Sequence, residues 1–197
     1  LGFVKQLTAA GHQVSVAVRD LAKAQVLAQQ HGATAVALEG AAKDVAAVIV
    51  ATPYEQAASA LRSAGDLTGK TVIDITNPLT PDYMGLTLGH STSAAEEIAR
   101  AVPGADVVKA FNTVFAQVLA EGADFGEGQK VTVFLASDSE PAKQTARALA
   151  ESMGFLTQDA GGLKNARYLE PLAGLNIYFG YGAGLGTAIA PTWIHKN

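Results

Sequence analysis

Residues 45–78 read VAAVIVATPYEQAASALRSAGDLTGKTVIDITNP, and this stretch decides the fold. Val45–Ala51 is one continuous apolar run rich in β-branched residues. A strand buried on both faces reads this way, whereas a half-exposed strand alternates apolar and polar residues. Thr52-Pro53 ends the run, and an alanine-rich helix is predicted over Tyr54–Ser63. Thr71–Ile75 is a second buried strand, closing on Thr76-Asn77-Pro78. Two such strands joined by a helix form a parallel βαβ unit with a right-handed crossover.

The same rhythm extends both ways. Toward the N-terminus, Phe3–Ala10 has helical apolar spacing and stops at Gly11, Gln13–Val18 reads as a strand, and Asp20 starts a helix to about Gln30. Ala33–Leu38 is a weak strand. Toward the C-terminus come a loop over Thr80–His90, a helix over Ser93–Ala101 and a strand over Asp106–Phe111. A short helix near Val114–Leu119, a strand over Val131–Ala136, a helix over Glu140–Met153 and a strand near Phe155–Gln158 follow, with a long apolar helix from about Leu163. Alternation of this kind predicts an α/β, Rossmann-type, doubly wound parallel sheet with a C-terminal helical segment. Gly161-Gly162 is the expected boundary, giving a sheet domain over 1–160 and a helical segment over 161–197 that packs on it or on a dimer partner.

Composition narrows the function. The 197 residues are 49% hydrophobic and 16% charged, so a folded core is expected rather than disorder. A net charge of -4 offers nothing to nucleic acid or to an anionic membrane. With no cysteine, thiolate catalysis, disulfides and cysteine-held metals are excluded, and no His and acidic residues fall at metal-ligand spacing. Leu1 begins inside helical sequence without a basic-then-apolar leader, which predicts neither a signal peptide nor a natural start at Leu1. Pro171–Ile194 carries no Asp, Glu, Lys or Arg and is long enough to span a bilayer. Five glycines (174, 180, 182, 184 and 186) and Asn176 interrupt it, so the reading is a helix buried in the domain or in an interface.

In an open parallel sheet, ligands lie outside the carboxyl ends of the strands. Here those ends are Val18-Arg19, Thr52-Pro53, Thr76-Asn77-Pro78 and Asn112-Thr113. No acid or histidine cluster is among them, which suits chemistry carried by a cofactor, and no catalytic residue is assigned. Arg19 follows the second strand of a dinucleotide fold, where an acidic residue would hold the NAD ribose and an arginine accommodates the extra phosphate of NADP. Lys23 adds a second cation one turn later. The plain alternative is a solvated helix start. Gly180–Gly186 is glycine-rich but follows no strand, so it is read as close packing and not as a phosphate loop. His90, in the loop after Pro78, is the one histidine placed to touch substrate; His12 and His31 read as helix-end residues and His195 carries no signal.

These segments together resemble a known family. Phe3-Val4-Lys5-Gln6-Leu7 running into Ala10-Gly11-His12, then Val18-Arg19-Asp20, Val50-Ala51-Thr52-Pro53, Ile73–Pro78, Val108–Thr113 and Ala166–Leu172, are similar to the NADP oxidoreductases that use the deazaflavin coenzyme F420. The NADPH-binding domain of the STEAP metalloreductases belongs to the same family. The resemblance implies that a strand and a Gly-x-Gly-x-x-Gly loop precede Leu1, so that the sheet lacks its first strand in this chain. It implies that Arg19 and Lys23 hold the 2′-phosphate, that Thr52 and Pro53 lie beside ribose and nicotinamide, and that Asn77 and Asn112 line the nicotinamide end. Val18 stands where the family often has serine or threonine, and Asn112 where archaeal members can have histidine.

The resemblance further implies a cytoplasmic enzyme, NADP(H) as cofactor, coenzyme F420 or a flavin as second substrate, and no nucleic-acid or membrane partner. Tyr168, Asn176 and Tyr178 are candidates to shape the second pocket, against a core-packing role for each. A homodimer is expected, because the apolar C-terminal helix needs a cover. Two other readings stay open: a non-catalytic NADP(H)-binding sensor or interaction module, and an NAD-dependent enzyme.

Overall fold

Three of the helices begin on the residues that can cap them. Asp20, Ser93 and Ser139 each turn a side-chain oxygen onto a backbone N–H two or three residues into the helix that follows. At Ser93 the cap is reciprocal in kind: its hydroxyl accepts from the Glu96 amide and donates to the Glu96 carboxylate at 2.8 Å. The computed structural model describes residues 1–196. In chain order the elements are α1 (Gly2–Ala9), β1 (Ser15–Val18), α2 (Leu21–Gln30), β2 (Thr34–Ala37), β3 (Ala47–Val50), α3 (Tyr54–Ser63), β4 (Thr71–Asp74), α4 (Ala94–Ala101) and β5 (Asp106–Lys109). Then follow α5 (Ala116–Glu121), β6 (Asp124–Gly126), β7 (Gln129–Lys130), β8 (Thr132–Leu135), α6 (Glu140–Ser152), β9 (Leu156–Asp159) and α7 (Ala166–Ile177).

The strands pair in parallel: β1 with β2, β3 with β4 with β5, and β8 with β9. Residues of β4 and β8 are buried throughout, as expected for strands with helices on both faces. One apolar cluster gathers Leu7, Ile73, Val108, Phe111, Val133 and Leu135 beneath α1, α5 and α6. Another, on the opposite face, joins Val50, Leu61, Val72 and Ile98 to Leu163 and Ala166, so the chain beyond Gly162 packs into the same core as the sheet. β1 and β3 share no hydrogen bonds among the described residues. A doubly wound order puts its first strand between those two.

Three features depart from the expected pattern. First, β8 meets β5 antiparallel, through the bridge in which Lys109 and Ala136 exchange both backbone hydrogen bonds at 2.9 and 3.0 Å. The last βαβ unit therefore runs against the others. The link between the two strands is built from the six-residue α5 and the small β6–β7 hairpin in place of a full crossover helix. Second, β6 and β7 form a small exposed hairpin within Asp124–Lys130 that polar, glycine-bearing sequence disguised as loop. Third, the C-terminal helix is shorter than expected. α7 ends at Ile177, one π-turn follows over Tyr178–Gly182, and the rest of the described chain is not helical. Gly180 passes so close to Phe115 that a Cβ there would lie 2.7 Å from the ring, so this glycine allows a close approach and not a continued helix. No helix is long and apolar enough to cross a membrane among the described residues.

Candidate functional site

β3, β4 and β5 run side by side, so their carboxyl ends deliver Thr52-Pro53, Thr76-Asn77 and Asn112 to one edge. Asn77 and Asn112 lock together there. The Asn77 amide donates to the Asn112 carbonyl at 2.9 Å, and the Asn112 amide donates to Asn77 Oδ1 at 3.0 Å and to the Leu169 carbonyl of α7 at 2.9 Å. The sequence placed these two residues at strand ends; the structure makes them one unit and ties it to the C-terminal helix. Phe111, next to Asn112, holds a left-handed backbone (φ 60°) although it is 3% exposed. That conformation is costly for a bulky residue and tends to persist where surrounding packing overrides it at a functional site. Phe3 and Phe155 clamp the Phe111 ring edge-on at 5.0 and 5.9 Å.

Beside the asparagine pair lies a cleft of about 240 Å³, walled by Tyr83, Phe115, Asn176 and Tyr181 together with Asn77 and Asn112. Asn176 is buried and donates to the Thr113 carbonyl at 3.1 Å, whereas Tyr178 is half-exposed and outside this cleft. No Asp, Glu, His, Lys or Arg lines it. Tyr168 lies elsewhere, on a larger apolar recess of about 430 Å³ with Phe134, Leu172 and Trp193. That recess contains none of the strand-end residues, so size alone does not mark the site.

The fit of a nicotinamide dinucleotide rests on unpaired polar atoms. Thr52 Oγ1 and Asn112 Oδ1 are buried without a hydrogen-bond partner, which folded proteins avoid unless a ligand or water completes the set. At the other end, Arg19 is exposed just beyond β1 and makes no hydrogen bond or ion pair among the described residues. Lys23 is exposed and lies 3.6 Å from its own helix cap Asp20. Pro53 is exposed and directly precedes α3. A cationic end, a run of strand termini and a polar end with orphan acceptors fit the group. His90 is exposed with φ 57°, outside the asparagine cleft, and its carbonyl accepts from Arg167 at 3.3 Å.

Sequence reading assigned no role to a charge cluster behind this edge. Lys109, wholly buried, points its ammonium at Asp74 (2.7 Å), Glu170 (2.9 Å) and the Thr76 carbonyl (2.7 Å). Glu170 also accepts from the Ala94 and Ala95 amides at 2.9 and 3.2 Å, the N-terminus of α4. A charged residue inside an apolar strand run, as in VIDI and VVKAF, was the available signal, because buried charges must be paired. Nearby, Arg167 grips both carboxylate oxygens of Glu96 at 2.9 and 2.7 Å. That grip, aided by Ser93 and opposed by burial, holds the Glu96 carboxyl below the usual carboxylate range. A depressed folded-state pKa stabilises the protein above the unfolded value of about 4.3, and this contribution is lost as pH falls through the folded value. Glu96→Gln is therefore expected to flatten part of the fall in melting temperature between about pH 5 and pH 3. Thermal melts across that range check it; a variant with the wild-type acid limb would remove Glu96 from the account.

The chain is similar to several known proteins. The family described as NADP oxidoreductase, coenzyme F420-dependent, matches residues 2–78. A crystal structure of a putative F420-dependent NADP-reductase from Arthrobacter sp. FB24 is 26% identical, covers 98% of this chain and 94% of its own, and superposes with a TM-score of 0.85. A hypothetical protein from Sinorhizobium meliloti is 31% identical, with 82% of this chain and 80% of its own covered and a TM-score of 0.74. The rat metalloreductase STEAP3 is 35% identical over 125 residues, which are 64% of this chain; the chain spans 24% of that relative's length.

Proposed function

We propose, from the match of residues 2–78 to the coenzyme F420-dependent NADP oxidoreductase family and the likeness to a solved structure described as such a reductase, that the chain passes hydride between NADP(H) and a second planar redox partner, the deazaflavin or a flavin. The observation that carries this reading is the asparagine pair, whose buried Asn112 Oδ1 lacks a partner at the edge of an uncharged cleft. When bound, NADPH would supply the chemistry, a hydride from C4 that carries its bonding electron pair to the acceptor and leaves NADP+.

The protein's part is placement. Arg19 and Lys23 hold the 2′-phosphate, a guanidinium being able to grip a phosphate through two parallel hydrogen bonds. Thr52 and Pro53 border the ribose. Asn77, fixed by Asn112, keeps Asn112 Oδ1 aimed to accept a hydrogen bond from a carboxamide. Phe115, Tyr83 and Tyr181 wall the acceptor side, so the gain comes from proximity and orientation. His90 touches only an extended acceptor, from the rim.

Mixing the protein with NADPH and the deazaflavin, flavins and simple carbonyls in turn tests the reading through loss of absorbance at 340 nm. Turnover with a planar ring acceptor is expected, and binding without turnover on every acceptor would favour a redox sensor instead. That second reading draws on the same uncharged cleft, which offers no acid or base. Arg19→Ala is expected to weaken NADPH about 10- to 100-fold while leaving NADH within about twofold, the worth of a charged hydrogen-bonded pair. Calorimetric titration of both nucleotides reads it; equal losses would remove the phosphate role. We also propose a homodimer through the outer side of α7 and its π-turn, where Leu175, Tyr178 and Tyr181 are exposed. Light scattering should return twice the protomer mass, and a single protomer mass would refute it.

A further inference from the structure

The Asp74–Lys109–Glu170 cluster holds two carboxylates against one ammonium, all three essentially without solvent contact. Its surplus is one negative charge, of which the N-terminal dipole of α4 on Glu170 offsets about half. Two neighbouring carboxylates are ion-paired, Glu96 with Arg167 and Glu97 with Arg100.

The cluster is bonded into the asparagine edge from two sides. Asp74 Oδ1 accepts from the Thr76 amide at 2.8 Å, and Lys109 donates to the Thr76 carbonyl; Thr76 is the residue before Asn77. Asn112 donates to the Leu169 carbonyl, and Leu169 is the residue before Glu170. With about 3.8 Å between consecutive Cα atoms, the surplus charge lies within about 10 Å of the asparagine pair.

We infer that this buried cluster sets an electrostatic bias at the nicotinamide end, favouring the oxidised, cationic ring over the reduced, neutral one and so favouring hydride donation by NADPH. The inference rests on the proposed placement of nicotinamide at Asn77 and Asn112. The same sign of field is felt by Tyr54. Tyr54, directly after Thr52-Pro53, keeps its proton beyond the ordinary tyrosine range, first because burial disfavours the phenolate, then because Glu97, Glu170, Asp74 and Glu55 repel it. Two of those four carboxylates belong to the cluster, and their effect reaches the strand end where the cofactor is placed.

At this separation in a partly polar interior, one charge shifts a binding ratio by about tenfold. The test is the ratio of the dissociation constants of NADP+ and NADPH, measured by calorimetry without turnover. Glu170→Gln leaves Lys109 and Asp74 as a neutral pair and retains an oxygen for the α4 amides. Asp74→Asn removes the same charge from the other side of Lys109, and either variant that melts cooperatively carries the test. The expected result is a rise of about five- to tenfold in the NADP+/NADPH ratio, tenfold being about 30 mV in the bound two-electron potential. A ratio within twofold of wild type would overturn the inference while leaving the NADP reading intact. Wild-type protein that binds neither nucleotide would overturn both.

Discussion

Lys109→Met is expected to cost about 3–5 kcal/mol, because it leaves two carboxylates facing each other in the core with no cation between them. Against a typical total of about 5–15 kcal/mol for a domain, that loss is large enough to show as a lowered urea midpoint or as insoluble protein. The penalty belongs to the orphaned charges and not to the missing methylenes, which methionine replaces in volume. Adding Glu170→Gln to Lys109→Met should accordingly recover about 1 kcal/mol or more, as coupled neighbours do. Urea unfolding of the single and double variants measures both effects. A single variant within about 1 kcal/mol of wild type, or a double variant no better than the single, would contradict the ion cluster described above.

Phe111→Ala carries the second large effect. The ring is buried between Phe3 and Phe155, and truncating a buried phenylalanine costs about 3–5 kcal/mol. The backbone at Phe111 adds a discriminating feature. At φ 60° any residue with a Cβ pays a penalty of about 1–2 kcal/mol that glycine does not. Phe111→Gly is therefore expected to be more stable than Phe111→Ala by about 1 kcal/mol, reversing the usual order of the two residues. Equilibrium unfolding of the pair decides it, and alanine proving the more stable would mean that the left-handed turn is absent in solution. Both variants should also loosen Asn112, the next residue, and with it the hold on the cofactor.

Much of the sheet was legible because each buried strand wrote itself twice, as a β-branched run and as the turn residues that end it. Val45–Ala51 before Thr52-Pro53 and Thr71–Ile75 before Thr76-Asn77-Pro78 are the clearest cases, and β3 and β4 fall inside them. Helix starts were legible through Asp20 and Ser93, whose side chains do cap α2 and α4. The β6–β7 hairpin was not, since a few exposed residues with two glycines give no period to read. Nor was the reversed direction of β8, which depends on the link built from α5 and the hairpin and not on the composition of the strand. The apolar stretch after Pro171 suggested a long helix because hydropathy alone cannot see that Gly180 must admit the Phe115 ring.

The site divides the same way. Arg19, Thr52, Asn77 and Asn112 are proposed from the rule that ligands gather at strand ends, which needs only the order of elements. Asp74, Lys109 and Glu170 lie far apart in the chain, and only folding brings them into contact. Their solitary charges inside apolar runs were visible, but which partners they chose was not. The asparagine lock was hidden for the same reason, since each of its members looks like an ordinary strand-end polar residue.

A structure of the protein with NADP+ bound would measure the placement itself. The adenosine 2′-phosphate is expected within hydrogen-bond reach of the Arg19 guanidinium, about 2.7–2.9 Å, with the carboxamide donating to Asn112 Oδ1. Phosphate lying away from Arg19, or a nicotinamide that never approaches the Asn77–Asn112 pair, would contradict the account.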